Sequence, residues 1–347
     1  MLFRKKISNL GIDIGTSSIK VVELEKEGKI VSLKNYAEYR PLSLEKKLFL
    51  IESKGFFFFE KDLPAILAEL LRKANITQKK AVFSLPVFSS FFAVIELPSM
   101  DPEEIPGAIN FQAQQYIPIP LSEVILDWQI IEEEKKEFKE KLKILLVASP
   151  KEVVEKYFTL ARRVGLEIKS LEIESFSIQR AILKEKKDPY VIVDIGGGTT
   201  SVTIVDKGFI RICHSIESHG FEQTQLISKQ FNISLLRAEQ LKREKGIKEE
   251  SNLLSAVLPS LEKIAFGVER AIMMYKVSSP KREIKKIILT GGGALLSGIE
   301  DFFAEKFKKE VEIANPFSQL VYPSVLEKKL KKIGPLFTTA VGLALNF

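Results

Sequence analysis

The chain has 347 residues, enough for two domains that each bury a core. Its 52 basic and 45 acidic side chains leave a formal charge of +7, but lysines and glutamates alternate, a pattern that disfavours nucleic-acid binding. One cysteine excludes an internal disulfide, and no apolar stretch approaches the ~20 residues that a membrane span needs. The first strand is predicted almost at the N-terminus, so no signal peptide fits and we expect a cytoplasmic protein.

The first predicted element is a β-hairpin over residues 11–30, GIDIGTSSIKVVELEKEGKI. An apolar strand ends at Asp13, small residues follow, and a second strand returns to a turn at Gly28. The small residues are Gly15, Thr16, Ser17 and Ser18. Their N–H groups and hydroxyls can hold a phosphate, because glycine lets the backbone come close to an anion. Asp13 can hold a hydrated Mg²⁺, an ion that keeps its waters and takes one or two carboxylates.

The following segment predicts a strand and a helix. Phe56–Phe59, a run of aromatic residues, predicts a buried strand, with an exposed contact patch as the alternative. Asp62 and Pro64 predict the start of a helix, because Asp favours the N-cap and Pro the first turn. The helix would bury a stripe of helical period: Leu63, Ile66, Leu67, Leu70 and Leu71.

Residues 84–166 predict a small α/β subdomain inserted into the first domain. Strand Phe91–Leu97 precedes a capped helix start at Asp101, whose first turn Pro106 would distort. The remaining predicted elements are strands Val124–Ile131 and Lys143–Ala148, the charged turn Glu132–Lys141 between them, a helix over Lys151–Val164 and a closing strand Glu167–Ile173. The segment carries no nucleotide motif, so we expect it to bind a partner.

Residues 190–208 repeat the design of the first hairpin. A buried strand ends at Asp194, a glycine-rich turn follows, and a second strand closes at a turn near Gly208. The turn residues are Gly196, Gly197, Gly198, Thr199 and Thr200. A lone hairpin of this kind is equally well explained as a glycine-rich turn beside a solvated Asp. Two copies, with Asp13 and Asp194 at matching positions, favour a pair of anion-binding hairpins that clamp a polyphosphate between two lobes.

A third glycine stretch completes the set of motifs. Residues 287–303 predict a strand, a loop at Gly291, Gly292 and Gly293, and a helix from near Gly298. Such a loop can pass close under a nucleoside, and no Walker or dinucleotide motif is present. The three motifs in this order resemble the actin-like ATPase superfamily. The resemblance implies an α/β fold of two lobes, duplicated and ribonuclease H-like, with ATP and Mg²⁺ bound between them.

The resemblance also assigns roles to individual residues. Lys20, seven positions after Asp13, would contact phosphate, with a surface lysine as the alternative. Glu239 and Lys242 match an A-E-x-x-K element that binds the ribose and flanks the base or phosphate, although a helix-surface ion pair explains them equally well. Gln179 matches the water-orienting glutamine of actin, or is simply a polar helix residue. A glutamine is a poor base, so we expect at most slow ATP hydrolysis.

Further segments narrow the resemblance to the PilM family of type IV pilus assembly proteins. They are FSLP at 83–86, IELPSM at 95–100, QQYIPIPLSEVILDWQII at 114–131, LLVASPKEVVEKY at 145–157 and VGLEIKSLEIESFSIQRAI at 164–182. The match covers nearly the whole chain, with one departure: His219 stands where the family has glycine. The resemblance implies a protein at the cytoplasmic face of the inner membrane that binds the cytoplasmic N-terminal tail of PilN. Other pilus platform proteins are further expected partners, and self-association is a further option.

Two other functions remain open at this point. A filament-forming scaffold like the cell-division protein FtsA would share the inserted subdomain, but FtsA continues into an amphipathic membrane helix whereas this sequence stops at Phe347. A small-molecule kinase of the same superfamily would need a catalytic carboxylate and a substrate pocket, for which no candidate stands out. The expected organisation is a first lobe over 1–187 with the insert at about 84–166, a second lobe over 188–334, and a C-terminal helix at 335–347 that returns to the first lobe.

Overall fold

The structure is a computed structural model that describes residues 6–40, 62–136, 139–182, 188–248 and 252–347. The predicted strand at Phe56–Phe59 lies outside these ranges. The described strands are β1 (Ile7–Ile14), β2 (Ile19–Glu27), β3 (Ile30–Tyr39), β4 (Lys80–Leu85), β5 (Phe91–Pro98), β6 (Val124–Lys136), β7 (Lys139–Pro150), β8 (Glu167–Ile173), β9 (Tyr190–Ile195), β10 (Thr200–Asp206), β11 (Phe209–Ile216), β12 (Lys286–Thr290) and β13 (Glu310–Ile313).

The described helices cover both halves of the chain. They are α1 (Leu63–Lys73), α2 (Ile105–Ala113), α3 (Lys151–Arg163), α4 (Glu174–Ile182), α5 (Gly220–Phe231), α6 (Leu235–Lys245), α7 (Leu254–Ser278), α8 (Ile299–Phe307), α9 (Glu327–Ile333) and α10 (Thr338–Ala344). Across the described ranges, no helix is long and apolar enough to span a membrane.

The two large sheets have the same construction. The first has the strand order β3-β2-β1-β4-β8 and the second β11-β10-β9-β12-β13. In each, three consecutive strands form an antiparallel meander. Two later strands then add in parallel beside the first strand of the meander. This duplication within one chain is the two-lobed actin-like fold that the repeated hairpins predict.

The first lobe buries one face of its sheet under α1 and α3. Leu67 of α1, Phe83 of β4 and Tyr157 of α3 are fully buried in one hydrophobic cluster, as the helical stripe of α1 predicts. The helix α3 is therefore the crossover that returns the chain to β8, and its apolar face belongs to the core of the first sheet. The predicted insert of residues 84–166 includes this helix, whereas the separate sheet and core described next end at Pro150.

The inserted unit is a sheet of order β5-β7-β6 with α2 on one face. Ile105 and Ile109 of α2 pack against Ile95 and Ile144 in its core. The predicted charged turn at Glu132–Lys141 is wrong, because the ladder between β6 and β7 continues as far as the pair of Lys136 and Lys139. Charged residues do not prevent this pairing, because an antiparallel sheet can carry polar side chains on a face that is not packed on the core.

The C-terminal helix α10 closes the first lobe. Its residues 338–344 are buried, and it packs against β1 and α4. The contact is closest at Gly342, where an added Cβ would overlap the carbonyl oxygen of Ser177 in α4. On the opposite side, a Cβ at Gly11 of β1 would overlap the carbonyl oxygen of Ala340. Backbones in contact on both sides leave no room for the helix to shift.

This packing predicts a stability defect for Gly342→Ala. The added methyl meets backbone that cannot move, and overpacking of this kind costs about 1–3 kcal/mol of unfolding free energy. Gly107→Ala is the matched control, because a Cβ at Gly107 in α2 has nothing within 4 Å. We expect chemical denaturation to show a loss for Gly342→Ala and none for Gly107→Ala. Equal unfolding free energies for the two variants would contradict the tight packing of α10.

Candidate functional site

The first hairpin turns between β1 and β2 and carries an ion pair at its base. Asp13 and Lys20 are directly opposite in the antiparallel register, which is why seven positions separate them. Lys20 Nζ lies 3.2 Å from Asp13 Oδ2, and both side chains are only 10% exposed. The Ser84 hydroxyl donates to Asp13 Oδ1 at 3.0 Å. The N–H of Gly15 donates to the carbonyl oxygen of Ser18 at 3.0 Å and closes the turn.

The second hairpin, between β9 and β10, repeats this geometry at a constant sequence offset. The N–H of Gly196 donates to the carbonyl oxygen of Thr199 at 2.9 Å, as Gly15 does to Ser18. Asp194 lies opposite Ser201 in the register, the position that Lys20 occupies in the first hairpin. The hydroxyl of Thr200 is buried and donates to the Ser218 carbonyl oxygen at 2.6 Å, so it supports the fold and does not face a cavity.

The tips of the two hairpins touch. A Cβ built on Gly197 would lie 2.6 Å from the Cβ of Ser17, and one on Gly198 would lie 2.8 Å from Thr16 Oγ1. Real side chains do not tolerate such distances, so this approach of two turns from two lobes needs glycine at both positions. The predicted arrangement of facing hairpins is therefore present.

The third glycine loop follows β12 and lies against the second hairpin. Gly291 has φ +79, a conformation that favours glycine, and a Cβ there would also lie 2.6 Å from the carbonyl oxygen of Ile195. The same Cβ would overlap Asp194 Oδ1. Since β12 pairs in parallel with β9, Thr290 lies beside Asp194, which places the loop at the carboxyl ends of both strands.

Two adjoining cavities lie between these loops. The smaller, of about 90 Å³, is lined by Asp13, Ile14, Gly15, Thr16, Ser17, Ser18, Lys20, Pro86, Phe88, Glu174, Asp194, Gly196, Gly197, Thr199, Gly291, Gly292, Pro335, Leu336 and Thr339. The larger, of about 450 Å³, is lined by Ser17, Ser18, Arg40, Gly196, Gly197, Gly220, Phe221, Gln223, Glu239, Lys242, Arg243, Gly292, Gly293, Leu295, Leu296, Lys332 and Leu336. They share residues of all three glycine loops, so one elongated ligand can occupy both.

Glu174 is a cavity-lining carboxyl group that sequence reasoning missed. It is the first residue of α4, directly after β8, and lines the smaller cavity with Asp13 and Asp194. Burial, together with the negative charges of Asp194 and Asp13, raises its pKa well above the usual value. The signal was present in the sequence, because polar residues at the carboxyl end of a parallel strand tend to face the ligand of an α/β fold.

Asp194 has a strongly perturbed pKa for the same reason. Burial and the neighbouring Asp13 raise the pKa of Asp194 to about 6, while Lys20 opposes the shift. The cavity thus holds three carboxyl groups near one ammonium group, and the ionised form of Asp194 is unfavourable without further positive charge. A cation that enters the cavity would favour that ionised form.

The carboxylates of the smaller cavity are better suited to hold a metal ion through its waters than to bind it directly. Within the described ranges, no group of three or more His, Cys, Asp or Glu side chains could hold a metal ion directly. Mg²⁺ usually keeps several waters and takes one or two carboxylates with phosphate oxygens. Asp13 and Asp194, on facing hairpins, suit that kind of coordination through water.

Glu239 and Lys242 form a network at the larger cavity. Lys242 Nζ lies 2.8 Å from Glu239 Oε2, and it also donates to Thr224 Oγ1 at 2.6 Å and to the Gly220 carbonyl oxygen. Burial alone would raise the pKa of Glu239, but the charge and hydrogen bond of Lys242 outweigh it and lower that pKa to about 2. Glu239 and Lys242 thus pair with each other and also form part of the wall of the larger cavity.

Like Gly198 and Thr200, Gln179 is a predicted site residue that lines neither cavity. Its Nε2 donates to the carbonyl oxygen of Gly208 at 2.6 Å, in the turn between β10 and β11. Neither cavity includes it in its lining. The residue of α4 that does line the smaller cavity is Glu174, at the start of that helix.

His219, in place of the family glycine, is accommodated without strain. Its φ of −161 is extended backbone, and its Nδ1 accepts from the N–H of Glu222 at 3.2 Å, so that it caps α5. An accepting Nδ1 requires the neutral ring, and burial lowers the pKa of His219, although the charge of Glu222 opposes this. The helix keeps its start beside the second hairpin, where the N–H of Gly220 donates to the Gly196 carbonyl oxygen at 3.0 Å.

Comparison with known proteins identifies one family whose model matches almost the whole chain. The model of the family described as type IV pilus assembly protein PilM matches residues 11–347. A solved structure described as the PilM-PilN type IV pilus biogenesis complex is 25% identical, with a TM-score of 0.84 and coverage of 98% of both chains. These two matches include the inserted unit as well as both lobes.

Two other relatives extend the similarity to the superfamily. MreB 5 of Spiroplasma citri bound to AMPPNP is 14% identical, with a TM-score of 0.50 over 96% of this chain and 94% of that one, and shares the fold. The cell division protein FtsA of Neisseria meningitidis is 27% identical over 207 residues. That alignment covers 52% of this chain and 48% of FtsA, so the chain spans about half the length of this curated relative.

The pKa of Asp194 predicts a pH-dependent effect of Asp194→Asn. A carboxyl pKa raised in the folded state contributes stability that is complete below the unfolded value of 3.8 and lost as the pH rises through about 6. Above that range the buried charge of Asp194 destabilises the fold, and Asn carries none. We therefore expect Asp194→Asn to have a higher Tm than the parent at about pH 7.5 and nearly the same Tm at about pH 4.

The matched control is Asp188→Asn, which changes an exposed carboxylate near the start of β9. Thermal melts followed by circular dichroism at both pH values should show no pH-dependent difference for this variant. A Tm for Asp194→Asn below that of the parent at about pH 7.5 would contradict the unfavourable burial of the charge.

Proposed function

The chain belongs to the PilM family of type IV pilus assembly proteins, and from this we propose that it is an ATP-binding component of the pilus assembly platform. It would act in the cytoplasm, at the inner membrane, by binding the cytoplasmic N-terminal tail of PilN. The observation that carries this proposal is the similarity to the PilM-PilN complex over 98% of both chains, at a TM-score of 0.84. The similarity to FtsA covers 52% of the chain, which is weaker support for a filament-forming scaffold.

The nucleotide would lie across both cavities. Its phosphates fit the smaller one, where the N–H groups and hydroxyls of the two hairpin turns converge with Lys20. The nucleoside fits the larger one, where Glu239 can accept from ribose hydroxyls and the Gly291–Gly293 loop passes close by. The MreB 5 structure with AMPPNP has the same fold, which supports this placement.

The residues of the smaller cavity can hold Mg²⁺ and a water. Asp13 and Asp194 would hold the ion through its waters, and the ion would supply positive charge to the phosphates. Glu174, which shares the cavity, can accept a hydrogen bond from a water beside the terminal phosphate. Because its pKa is raised well above the usual value, Glu174 favours the protonated form until a cation enters. These features support the binding of ATP together with Mg²⁺.

If the cavities bind nucleotide, the substitution Asp194→Ala should abolish the effect of Mg²⁺ on the affinity for ATP. Without this carboxylate, added Mg²⁺ should no longer increase the affinity for ATP in isothermal titration calorimetry, because half of the pair that holds the hydrated ion is gone. Asp301→Ala, which removes an exposed carboxylate of α8, is the control and should keep the Mg²⁺ dependence. If the parent protein binds no ATP with or without Mg²⁺, the cavities are not a nucleotide site.

The PilN tail is proposed to bind beside the inserted unit. This unit exposes large apolar side chains in addition to those in its core: Val94, Phe111, Tyr116 and Ile125. Phe158, on the first-lobe helix α3, is also exposed. A short tail binds most readily through a few apolar anchors in a groove or by adding a strand to a sheet edge, and β5 and β6 are the edges of the inserted sheet.

This placement predicts different effects for two equally exposed phenylalanines. Phe111 on the inserted unit and Phe266 on α7 of the second lobe are both 68% exposed. Phe111→Ser should weaken binding of a synthetic PilN N-terminal peptide by about tenfold, the effect of losing one apolar anchor, with little dependence on salt. Phe266→Ser should leave the affinity unchanged in fluorescence anisotropy titrations. The reverse result would place the partner site on the second lobe.

A further inference from the structure

One edge of the first lobe carries a run of lysines on a short helix. α9 has the sequence EKKLKKI, in which four exposed lysines accompany one glutamate: Lys328, Lys329, Lys331, Lys332 and Glu327. Leu330 is its fully buried residue, so the lysines cover the side of the helix that faces solvent. The helix therefore presents a strongly positive surface.

The lysines of α9 are not neutralised by ion pairs. Elsewhere on the surface, Lys141 lies 2.7 Å from Glu96 and Lys263 lies 2.6 Å from Glu222. Within the described residues, none of the four α9 lysines forms an ion pair. Lys329 Nζ instead lies 5.7 Å from the centroid of the Tyr36 ring, in a cation–π contact. The positive charge of this helix is thus available to an anionic partner.

The helix is held in a fixed position beside β3, the edge strand of the first sheet. Leu330 belongs to a buried cluster that includes Phe317 and Phe337. Tyr36 of β3 packs edge-on against both rings, with centroid distances of 6.3 Å to Phe317 and 5.6 Å to Phe337. The backbone that carries the lysines is therefore ordered before any partner binds, which lowers the entropic cost of binding.

Exposed aliphatic side chains lie on the same edge of the lobe. Val325, two residues before α9, is 85% exposed, and Val321 and Ile30 are more than half exposed. The N–H of Val321 donates to the carbonyl oxygen of Val31 at 2.9 Å, which places Val321 against β3. Val321 pairs with Ser32, two positions from Ile30, so the side chains of Val321 and Ile30 point to the same side.

We name Ile30, Val321, Val325 and the four lysines of α9 the basic edge. It combines two features that attract a protein to an anionic bilayer. Negative headgroups attract the lysines, and aliphatic side chains beside them can enter the interfacial region. A nucleic acid would use the lysines but leave the exposed aliphatic side chains in water, since its backbone is read by charged and polar groups. The basic edge therefore fits a lipid surface better than a nucleic acid.

We propose that the basic edge binds directly to a bilayer surface rich in anionic lipid. The inference goes beyond the proposed function, in which the chain reaches the inner membrane through the PilN tail. One lysine near an anionic surface strengthens binding about fivefold, so several lysines act together. Direct contact with lipid adds to the binding of the tail, because each contact raises the effective concentration for the other.

The test measures binding of the full chain to vesicles in the absence of PilN. Vesicles of equal parts phosphatidylglycerol and phosphatidylcholine are compared with vesicles of phosphatidylcholine alone by co-sedimentation at low salt. We expect binding to the anionic vesicles, at least about tenfold weaker binding to the neutral ones, and a loss of the difference in ~0.5 M salt.

The decisive variant combines Lys328→Glu with Lys331→Glu. It should weaken binding to the anionic vesicles at least about tenfold, because two attractive charges become repulsive. Lys329 and Lys332 stay unchanged, since the first contacts Tyr36 and the second lines the larger cavity. Val325→Ser should weaken binding severalfold by removing an apolar contact, and it decides the question if the double variant fails to fold.

The matched control combines Lys229→Glu with Lys276→Glu. These exposed lysines of α5 and α7 also have no ion pair within the described part of the chain, and the control should keep the parental binding. Equal binding of the parent to both kinds of vesicle, binding to neither, or an equal loss in the control overturns the proposal. A DNA duplex that binds as tightly as the anionic vesicles, and loses affinity in the same double variant, also overturns it. The proposed function fails separately, if the parent binds neither ATP nor the PilN peptide.

Discussion

The electrostatic balance in the cleft is the constraint on which the structure depends. Asp13, Glu174 and Asp194 line one small cavity with Lys20, and burial raises the pKa of both Glu174 and Asp194. Carboxyl groups in such a place destabilise the fold when they ionise without a partner, and they are placed where the two lobes meet. The arrangement makes sense if a cation and an anionic ligand complete it. Strain of this kind is commonly retained at binding sites, where stability is lost in favour of function.

The duplication of the fold explains how one chain builds such a cleft. Each sheet contributes a hairpin from the same place, between its first two strands, and the turns meet through Gly197 and Gly198. The parts that are not duplicated then differentiate the lobes. The inserted unit interrupts the first lobe between β4 and α3, and α10 returns from the second lobe to pack on β1. Both additions pack segments that are far apart in the sequence against one another.

The sequence predicted the hairpins well because their signals are local. Residues seven apart, such as Asp13 and Lys20, face each other across a four-residue turn whenever the strands pair in register. Glu174 was missed because its position depends on β8 joining β4, a pairing between residues far apart in the chain. Gln179 was assigned by resemblance to a helix position, and only the packing of α4 shows that it reaches Gly208.

The boundaries of the inserted unit were harder to predict for a different reason. The helix over residues 151–163 follows the inserted strands directly, so its place in the sequence favoured assigning it to the insert. The structure assigns its buried face to the first sheet, through Val154, Tyr157 and Leu160. In the same way, the charged residues after Ile131 predicted a turn, whereas strand pairing continues through them to Lys136. Local charge predicts solvent exposure, but it does not fix where pairing ends.

The central claim is that one nucleotide bridges the two lobes through their paired hairpins. A crystal structure of the full chain with AMPPNP and Mn²⁺, in which the ion is located by its anomalous signal, tests this claim most directly. We predict phosphates in contact with the turns at Gly15–Ser18 and Gly196–Thr199, the ion linked through waters to Asp13 and Asp194, and the nucleoside beside Glu239 and Gly292. A nucleotide that contacts one hairpin alone, or an ion bound away from both carboxylates, would contradict it.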